Sequence, residues 1–328
     1  MKRPAFVDPF IASLLGTLVA ASLIPPRGIW ADAFGVAADA GIVLLFFLHG
    51  AKLSRDAILT GLRAWRLHLA VLATTFAVFP LLGLGLGRLP FLDPRLAAGF
   101  LFLTLLPSTV QSSIAFTAMA RGNVAAAVCS ASFSNLLGIV LTPALVALTM
   151  QSAGVAVSPA SIEKILLQLL LPFLAGHLLR PWIGGFVGRH KALVTTVDRG
   201  SILLVVYSAF GAAVVEGLWH RVSGGDLAVL LLLCLLLLAI VLGFTWGLGR
   251  LLGLSREDRT VLLFCGSKKS LASGVPMAGV LFPAAQVGLV LLPVMLFHQA
   301  QLIACALVAR RMGRAAEAEL ATLEAVTE

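Results

Sequence analysis

The chain has 328 residues, of which 59% are hydrophobic and 12% are charged, and its mean hydropathy is +1.02. Soluble globular chains carry about 25% charged residues, so this composition excludes a water-soluble enzyme, a disordered chain and a secreted disulfide scaffold. The four cysteines lie in apolar runs without Cys-x-x-Cys spacing, which indicates neither a disulfide framework nor a zinc site. The class that remains is an all-α polytopic membrane protein.

Ten apolar runs, each near the length that crosses a bilayer, follow one another along the chain. The intervals between them are too short for a soluble domain, so we expect one transmembrane domain over residues 1–315 and a short cytoplasmic tail over 316–328. The first run also resembles a signal peptide, with Lys2 and Arg3 before it and Ala31-Asp32-Ala33 after it, but cleavage there would leave nine spans. The predicted spans are Phe10–Ile24, Phe34–Leu53, His68–Leu89, Ala97–Ala120, Val124–Met150, Ile165–Ile183, Ser201–Trp219, Leu227–Leu252, Thr260–Leu281 and Ala285–Ala309.

The distribution of Lys and Arg predicts the orientation of the spans. If the helices alternate, the side that holds both termini carries 17 of the 24 cations, and the other side carries 5. The remaining two, Lys268 and Lys269, lie inside the ninth span. By the positive-inside rule, both termini are cytoplasmic in an inner-membrane protein. The same distribution accounts for the net charge of +9. We therefore expect the lipid bilayer as a partner and no nucleic acid.

Five spans on each side of the 151–164 linker indicate an internal duplication over about 10–150 and 165–309. Because each half has an odd number of spans, the second copy is inverted, as in many secondary transporters. The fourth and ninth spans are interrupted at corresponding places: Ser108 lies 98 residues after Phe10, and Gly266 lies 101 residues after Ile165. We therefore predict ten helices in two inverted five-helix repeats, with the fourth and ninth helices broken and crossing.

The two interruptions predict a binding site. Proline removes a backbone donor, and unwound backbone survives in a bilayer only inside protein or beside a wet cavity. Half-helix N-termini there attract anions, and freed carbonyls attract cations. Ordinary helix kinks are the alternative for either break alone. The candidate substrate-binding residues are Ser108, Thr109, Gln111, Ser112 and Ser113 in the fourth span, and Gly266, Ser267, Lys268, Lys269 and Ser270 in the ninth.

Lys268 and Lys269 are unusual because a cation at the bilayer centre costs about 2.5–3.5 kcal/mol on insertion scales. We expect one or both to bind an anionic group of the solute or to carry a proton during transport. Snorkelling of the long side chains to an interface is the alternative. Asp39 is the clear intramembrane acid, and it is either a counter-ion or a residue near the outer interface.

The fifth span carries further polar residues that could hold a coupling ion. Ser130 and Ser134 share a face of that helix, and Asn135 follows them. Simple helix packing by serine is the alternative. The candidate cation or coupling residues are Thr75, Ser130, Ser134, Asn135 and Asp39, and no metal site is certain.

Several segments together resemble the bile acid:sodium symporter family, specifically its SBF-like branch of Na⁺-dependent transporters, over about Pro9 to Ala309. The resemblance implies a ten-helix fold with a core domain, a panel domain and two crossing broken helices, a small-molecule solute, and Na⁺ but no cofactor. The segments include Phe47-Leu48-His49-Gly50-Ala51-Lys52, Leu106-Pro107-Ser108-Thr109-Val110-Gln111-Ser112-Ser113, Ala120-Arg121-Gly122-Asn123 and Gly266-Ser267-Lys268-Lys269-Ser270-Leu271.

The family's sodium ligands carry over only in part. The resemblance implies cation ligands at Ser112 and Ser113, in the Ser130–Ser134 stretch, and near Thr75. The family's glutamate of the ninth helix falls near Phe264 and its glutamine falls near Lys268. A cation site that loses its carboxylate and gains nearby ammonium groups binds Na⁺ poorly, because like charges repel in a low dielectric, so the sequence predicts weak or absent Na⁺ coupling.

The leading hypothesis is a secondary transporter, not an enzyme. It would move a small anionic organic solute across the cytoplasmic membrane by alternating access, coupled to Na⁺ or to H⁺. One alternative is a regulatory membrane protein that transports nothing. Another is a membrane hydrolase with Ser267 or Ser270 as nucleophile and Lys268 or Lys269 as base, although no oxyanion hole is recognisable.

Overall fold

The computed structural model describes residues 9–52, 64–89, 92–150, 163–164 and 166–327, and every regular element in these ranges is a helix. The principal helices are α1 Pro9–Leu23, α2 Ile29–Lys52, α3 Trp65–Leu86, α4 Pro94–Leu105, α5 Gln111–Met119, α6 Val124–Thr149, α7 Leu166–Arg189, α8 Lys191–Val215, α9 Gly224–Leu251, α10 Arg256–Gly266, α11 Leu271–Leu281 and α12 Ala284–Thr327.

Seven of these helices are long and apolar enough to cross a membrane, namely α2, α3, α6, α7, α8, α9 and the Gln286–Ala318 part of α12. Two shorter apolar stretches, Ala12–Leu23 and Leu96–Leu105, lie in α1 and α4. The predicted fourth and ninth spans are absent from the seven because each is split into two helices of 9 to 12 residues. About 20 residues are needed to cross the hydrocarbon layer, so neither half is long enough alone.

The two splits lie where the sequence predicts breaks. In the first, α4 ends at Leu105 and α5 begins at Gln111, with Pro107 between them. In the second, α10 ends at Gly266 and α11 begins at Leu271. Ser270 is the N-cap of α11, because its hydroxyl accepts the N–H of Ser273 at 3.1 Å. A serine that caps a new helix stabilises the break as a true helix start.

Helix α3 contains a π-helical turn at Thr74–Val78, immediately before Pro80. Within this turn the N–H of Phe79 reaches the carbonyl of Thr74, five residues earlier. The corresponding donor for Thr75 would be Pro80, which has no N–H. The sequence therefore leaves the carbonyl of Thr75 without a helical partner.

The helices pack in two groups. Helices α1, α2, α7 and α8 pack against one another, with α2 between α7 and α8. Contact between α2 and α7 is very close, because a Cβ added at Gly50 or at Gly176 would collide with the carbonyl of Phe173 or of Phe47, respectively. The second group contains α3 to α6 and α9 to α12, and α8 joins the groups through α11 and α12.

Helix α12 continues well beyond the predicted tenth span, which was expected to end at Ala309. Its helical backbone extends to Thr327 and includes most of the 316–328 segment predicted as a tail. In the part of α12 beyond Ala309, Glu317 pairs with Arg121 at 3.1 Å, and Arg256 donates to the carbonyl of Met312 at 3.3 Å. These contacts join the extension to the ends of α5 and α10.

Candidate functional site

The two breaks lie in direct contact with each other. The N–H of Ser270 donates to the carbonyl of Pro107 at 2.8 Å, and the Ser108 hydroxyl donates to the carbonyl of Cys265 at 2.5 Å. Buried backbone groups without helical partners must be satisfied in some other way. Each break supplies such partners for the other, so the two unwound segments form one unit.

Helix α6 holds this unit from one side. The Ser134 hydroxyl accepts the N–H of Ser108 at 2.9 Å, and the Asn135 amide donates to the carbonyl of Ser108 at 2.7 Å. The Asn135 side-chain oxygen also accepts the hydroxyl of Ser273 at 2.8 Å. One asparagine therefore connects both broken spans to α6.

The side chain of Lys269 passes through the interior of the protein and ends among backbone carbonyls. Its ammonium donates at 2.7–2.8 Å to the carbonyls of Thr75, Thr104 and Leu106. The ring of Phe79 lies 4.1 Å away, measured from the ammonium to the ring centroid. Three donors thus meet three acceptors and an aromatic face, which is favourable for a buried ammonium group.

The backbone of Lys269 is held by Gln301 on α12. The side-chain oxygen of Gln301 accepts the N–H of Lys269 at 2.8 Å, and its side-chain nitrogen donates to the Lys269 carbonyl at 2.9 Å. Gln301 therefore supplies the hydrogen-bond partners that backbone groups of a neighbouring turn would supply in a continuous helix. Its amide also contacts the ring of His298 at 2.9 Å.

Lys268 has different surroundings, although it is equally buried. Its ammonium lies 3.3 Å from the Ser112 hydroxyl. It also lies 4.3 Å from the ring centroid of Phe116 and 5.8 Å from that of Phe264. Within the described ranges, neither Lys268 nor Lys269 forms an ion pair with an acidic residue.

A cavity of about 760 Å³ lies between the breaks and the other helix group. This volume is in the range of pockets that hold small organic molecules. The wall on the side of the breaks carries polar residues among apolar ones such as Val110, Phe116 and Met277; the polar residues include Thr109, Gln111, Ser112, Asn135, Ser270 and Ser273. The opposite wall, from α2, α7 and α8, includes the apolar side chains of Leu45, Phe46, Phe173 and Ile202.

The opposite wall also carries a charged cluster. Lys52 of α2 forms an ion pair with Asp198 of α8, and both residues line the cavity together with His49 and Arg199. The second carboxylate oxygen of Asp198 is buried and has no hydrogen-bond partner among the residues that the structure describes. The cluster thus presents two fixed cations and one carboxylate to a largely apolar space.

The predicted site residues fall into three sets. Thr109, Gln111, Ser112, Asn135 and Ser270 line the cavity. Other residues are buried at the junction of the breaks behind it: Ser108, Ser113, Ser134, Gly266, Ser267, Lys268 and Lys269. Thr75 reaches the junction only through its carbonyl, which accepts from Lys269, while its hydroxyl bonds within its own helix. Ser130 bonds to His68 at 2.7 Å, and Asp39 is exposed on α2 outside the cavity lining.

Sequence reasoning missed several contributors to the site. Gln301 and Lys52 are not among the candidate site residues predicted from the sequence. The carbonyl of Thr104 gave no sequence signal because backbone atoms have no residue-specific pattern. Pro80 could have indicated the freed carbonyl in α3, since a proline removes one donor from a helix.

Comparison with known proteins gives the family. The family model described as the SBF-like CPA transporter family matches residues 8–314. The chain belongs to this family. It is 54% identical over 318 residues to "Uncharacterized protein PA2026" of Pseudomonas aeruginosa, covering 96% of each chain. It is also 51% identical over 319 residues to "Putative symporter YfeH" of Escherichia coli, covering 97% of this chain and 96% of that one.

A more distant relative is the "Sodium/bile acid cotransporter 7" of Rattus norvegicus, which is 26% identical over 271 residues. The aligned residues cover 80% of this chain and 78% of the rat protein. The family is one of transporters rather than enzymes, so the resemblance stated from the sequence is confirmed and the hydrolase alternative is set aside. The chain is a multi-pass membrane protein of a transporter family.

Proposed function

We propose that the protein is a secondary transporter that carries a small organic anion across the cytoplasmic membrane by alternating access. The observation that carries this proposal is the cavity of about 760 Å³ that lies against both helix breaks. Unwound backbone is a recurrent feature of transporter substrate sites. The cavity also lies between two helix groups, and relative motion of such groups would expose it to one side of the membrane and then to the other.

The chemistry of the walls supports an anion with an apolar portion. Arg199 and Lys52 place two cations on one wall, whereas Asp198 is the one acidic side chain among the lining residues. The carboxylate is already paired with Lys52, which leaves Arg199 as the stronger candidate for the solute's negative group. Leu45 and Phe173 provide apolar surface for the remainder of the solute.

The wall on the side of the breaks supplies hydrogen-bonding groups rather than charged side chains. Gln111, at the first position of α5, and Ser112 lie where the half-helix begins. The first N–H groups of a helix have no internal partner and carry a partial positive charge. An anionic or hydroxylated solute would be oriented between this helix start and Arg199.

The predicted architecture is part of the same proposal. We infer ten spans in two inverted repeats, 10–150 and 165–309, with both termini in the cytoplasm. The matching breaks support the repeat, and the excess of Lys and Arg on one side supports the orientation. In this arrangement Lys52 lies near the cytoplasmic end of α2.

Uptake into proteoliposomes tests the proposal. Vesicles with and without the protein are incubated with a mixture of small carboxylates, sulfates and phosphates under imposed Na⁺ or pH gradients, and their contents are identified by mass spectrometry. We expect at least one anion to accumulate only with the protein, and Arg199→Gln to lower its uptake roughly tenfold or more, a factor that corresponds to one lost charged contact.

Arg189→Gln is the matched control, because Arg189 is exposed at the end of α7 outside the cavity lining. Its uptake should equal that of the wild type. Uptake of neutral or cationic solutes alone would contradict the anion assignment. Saturable binding without accumulation under either gradient would contradict transport and favour a regulatory protein.

A further inference from the structure

The ammonium of Lys269 lies where backbone carbonyls converge from two separate helices. Thr75 is on α3, whereas Thr104 and Leu106 lie at the end of α4. All three carbonyls point their oxygens at one nitrogen, at 2.7–2.8 Å. A convergent set of carbonyl oxygens is the usual protein environment of a bound small cation rather than of a lysine side chain.

Each carbonyl is available because its own helix lacks a donor for it. The partner of Thr75 across the π-helical turn would be Pro80, which has no N–H. The helical partner of Thr104 would be the N–H of Ser108, but that group donates to α6. Leu106 follows the last residue of α4. The chain therefore builds a cation site and fills it with its own ammonium group.

The position of this ammonium is fixed by both ends of the side chain. Gln301 binds the backbone of Lys269 through two hydrogen bonds, and the ring of Phe79 covers the ammonium. The side chain is only 1% exposed, so water cannot easily replace the carbonyls. Lys269 is therefore part of the joint between the breaks and not a side chain that lines the cavity.

Lys268 provides the internal comparison. It carries the same charge, is adjacent to Lys269 in the chain, and is equally buried. Its ammonium meets two aromatic rings and one hydroxyl at 3.3 Å, but no backbone carbonyl among the described residues. The carbonyl cage is thus specific to Lys269.

We propose that the Lys269 ammonium occupies a monovalent-cation site as a permanently tethered cation, so that this site neither requires nor accepts Na⁺. The three carbonyl contacts of the ammonium support this assignment whether or not the protein moves a solute. Its consequence for transport, that solute movement does not depend on Na⁺ bound at this site, rests on the proposed function.

Shortening the side chain should turn the filled site into an open one. In Lys269→Ala, the three carbonyls lose their donor and the atoms removed correspond to n-propylammonium. The purified full-length protein is melted in detergent with NaCl, n-propylammonium chloride or choline chloride at equal ionic strength. We expect Na⁺ or n-propylammonium to raise the melting temperature of Lys269→Ala by about 3 °C or more relative to choline.

Three controls make the test specific. The wild type should melt at the same temperature in all three salts, because its site is filled. Lys269→Met, which fills the space with a neutral side chain, and Lys268→Ala, which leaves the cage intact, should also show no difference between NaCl and choline chloride. These comparisons separate cation binding from general effects of salt.

The outcomes are distinguishable from those of the transport assay. Equal stabilisation of the wild type and of Lys269→Ala by Na⁺ would overturn the proposal, because the Na⁺ would then bind somewhere other than the vacated carbonyls. A Lys269→Ala protein that responds to neither cation would overturn it as well. The proposal would also be overturned if Lys269→Met melts at the wild-type temperature while Lys269→Ala melts lower and neither NaCl nor n-propylammonium chloride raises its melting temperature. None of these results depends on whether a solute is transported.

Discussion

Gln301 offers the sharpest test of how the second break is stabilised. Its amide satisfies both backbone groups of Lys269, at 2.8 and 2.9 Å, in a fully buried position. Leaving a buried donor or acceptor unsatisfied costs about 1–3 kcal/mol. Gln301→Leu removes the hydrogen-bond partners of two such groups and keeps a similar side-chain volume. We therefore expect the free energy of unfolding to fall by roughly 2–6 kcal/mol.

Gln299→Leu is the matched control for this change. It is the same substitution two residues earlier on α12, and the Gln299 side-chain nitrogen is buried and finds no hydrogen-bond partner in the described part of the chain. Removing an unsatisfied polar group should be neutral or slightly stabilising. The free energy of unfolding is measured by denaturant titration in detergent, with thermal melting as a second readout.

Thermal melting should separate the two variants clearly. For a chain of this length, a loss of that size corresponds to a melting temperature lower by at least about 3 °C, whereas Gln299→Leu should lie close to the wild type. Equal stability of the two variants would refute the role of Gln301, because it would mean that the unwound backbone at Lys269 finds other partners at no cost.

Three further predictions concern neighbouring features. Gly176→Ala should lower stability by about 1–3 kcal/mol in a melting experiment, because its Cβ would meet the Phe47 carbonyl; Gly185→Ala in the same helix has open space around it and should be neutral or stabilising. A double-mutant cycle with Lys52→Met and Asp198→Asn should give a coupling energy of about 1–2 kcal/mol for this partly exposed pair, and additive effects would refute the pair. Thr142→Val should cost about 1 kcal/mol, because its hydroxyl donates to the Leu105 carbonyl at the end of α4; Thr149→Val, which loses only a bond within its own helix, should cost less, and the reverse order would contradict this account.

The breaks were readable from the sequence because their causes are local. Pro107 removes a donor, and the polar residues after it have no place on a lipid-facing helix. Gly266 and Ser270 gave the same signal in the ninth span, and Ser270 is indeed the cap of the new helix. The two breaks also contact each other, and the shared binding site that the sequence predicts there stays a prediction.

The roles of individual polar residues were much less predictable. Which residue faces the cavity depends on the exact rotation of an unwound segment, which no helical period describes. The sequence predicts both lysines among the substrate-binding residues, and in the structure both are buried and neither is among the residues that line the cavity. The cage around Lys269 is formed by backbone atoms, so only the effect of Pro80 on the helix could have indicated it.

The central claim, that the cavity is a transport site, is tested most directly by labelling a single cysteine inside it from each side of the membrane. Ser132 lines the cavity, and the four natural cysteines are buried, so Ser132→Cys gives a specific signal with a membrane-impermeant maleimide. We expect labelling from either side of oriented vesicles, with the accessible side shifting when a transported anion or a gradient is imposed. Labelling from one side under every condition would contradict alternating access.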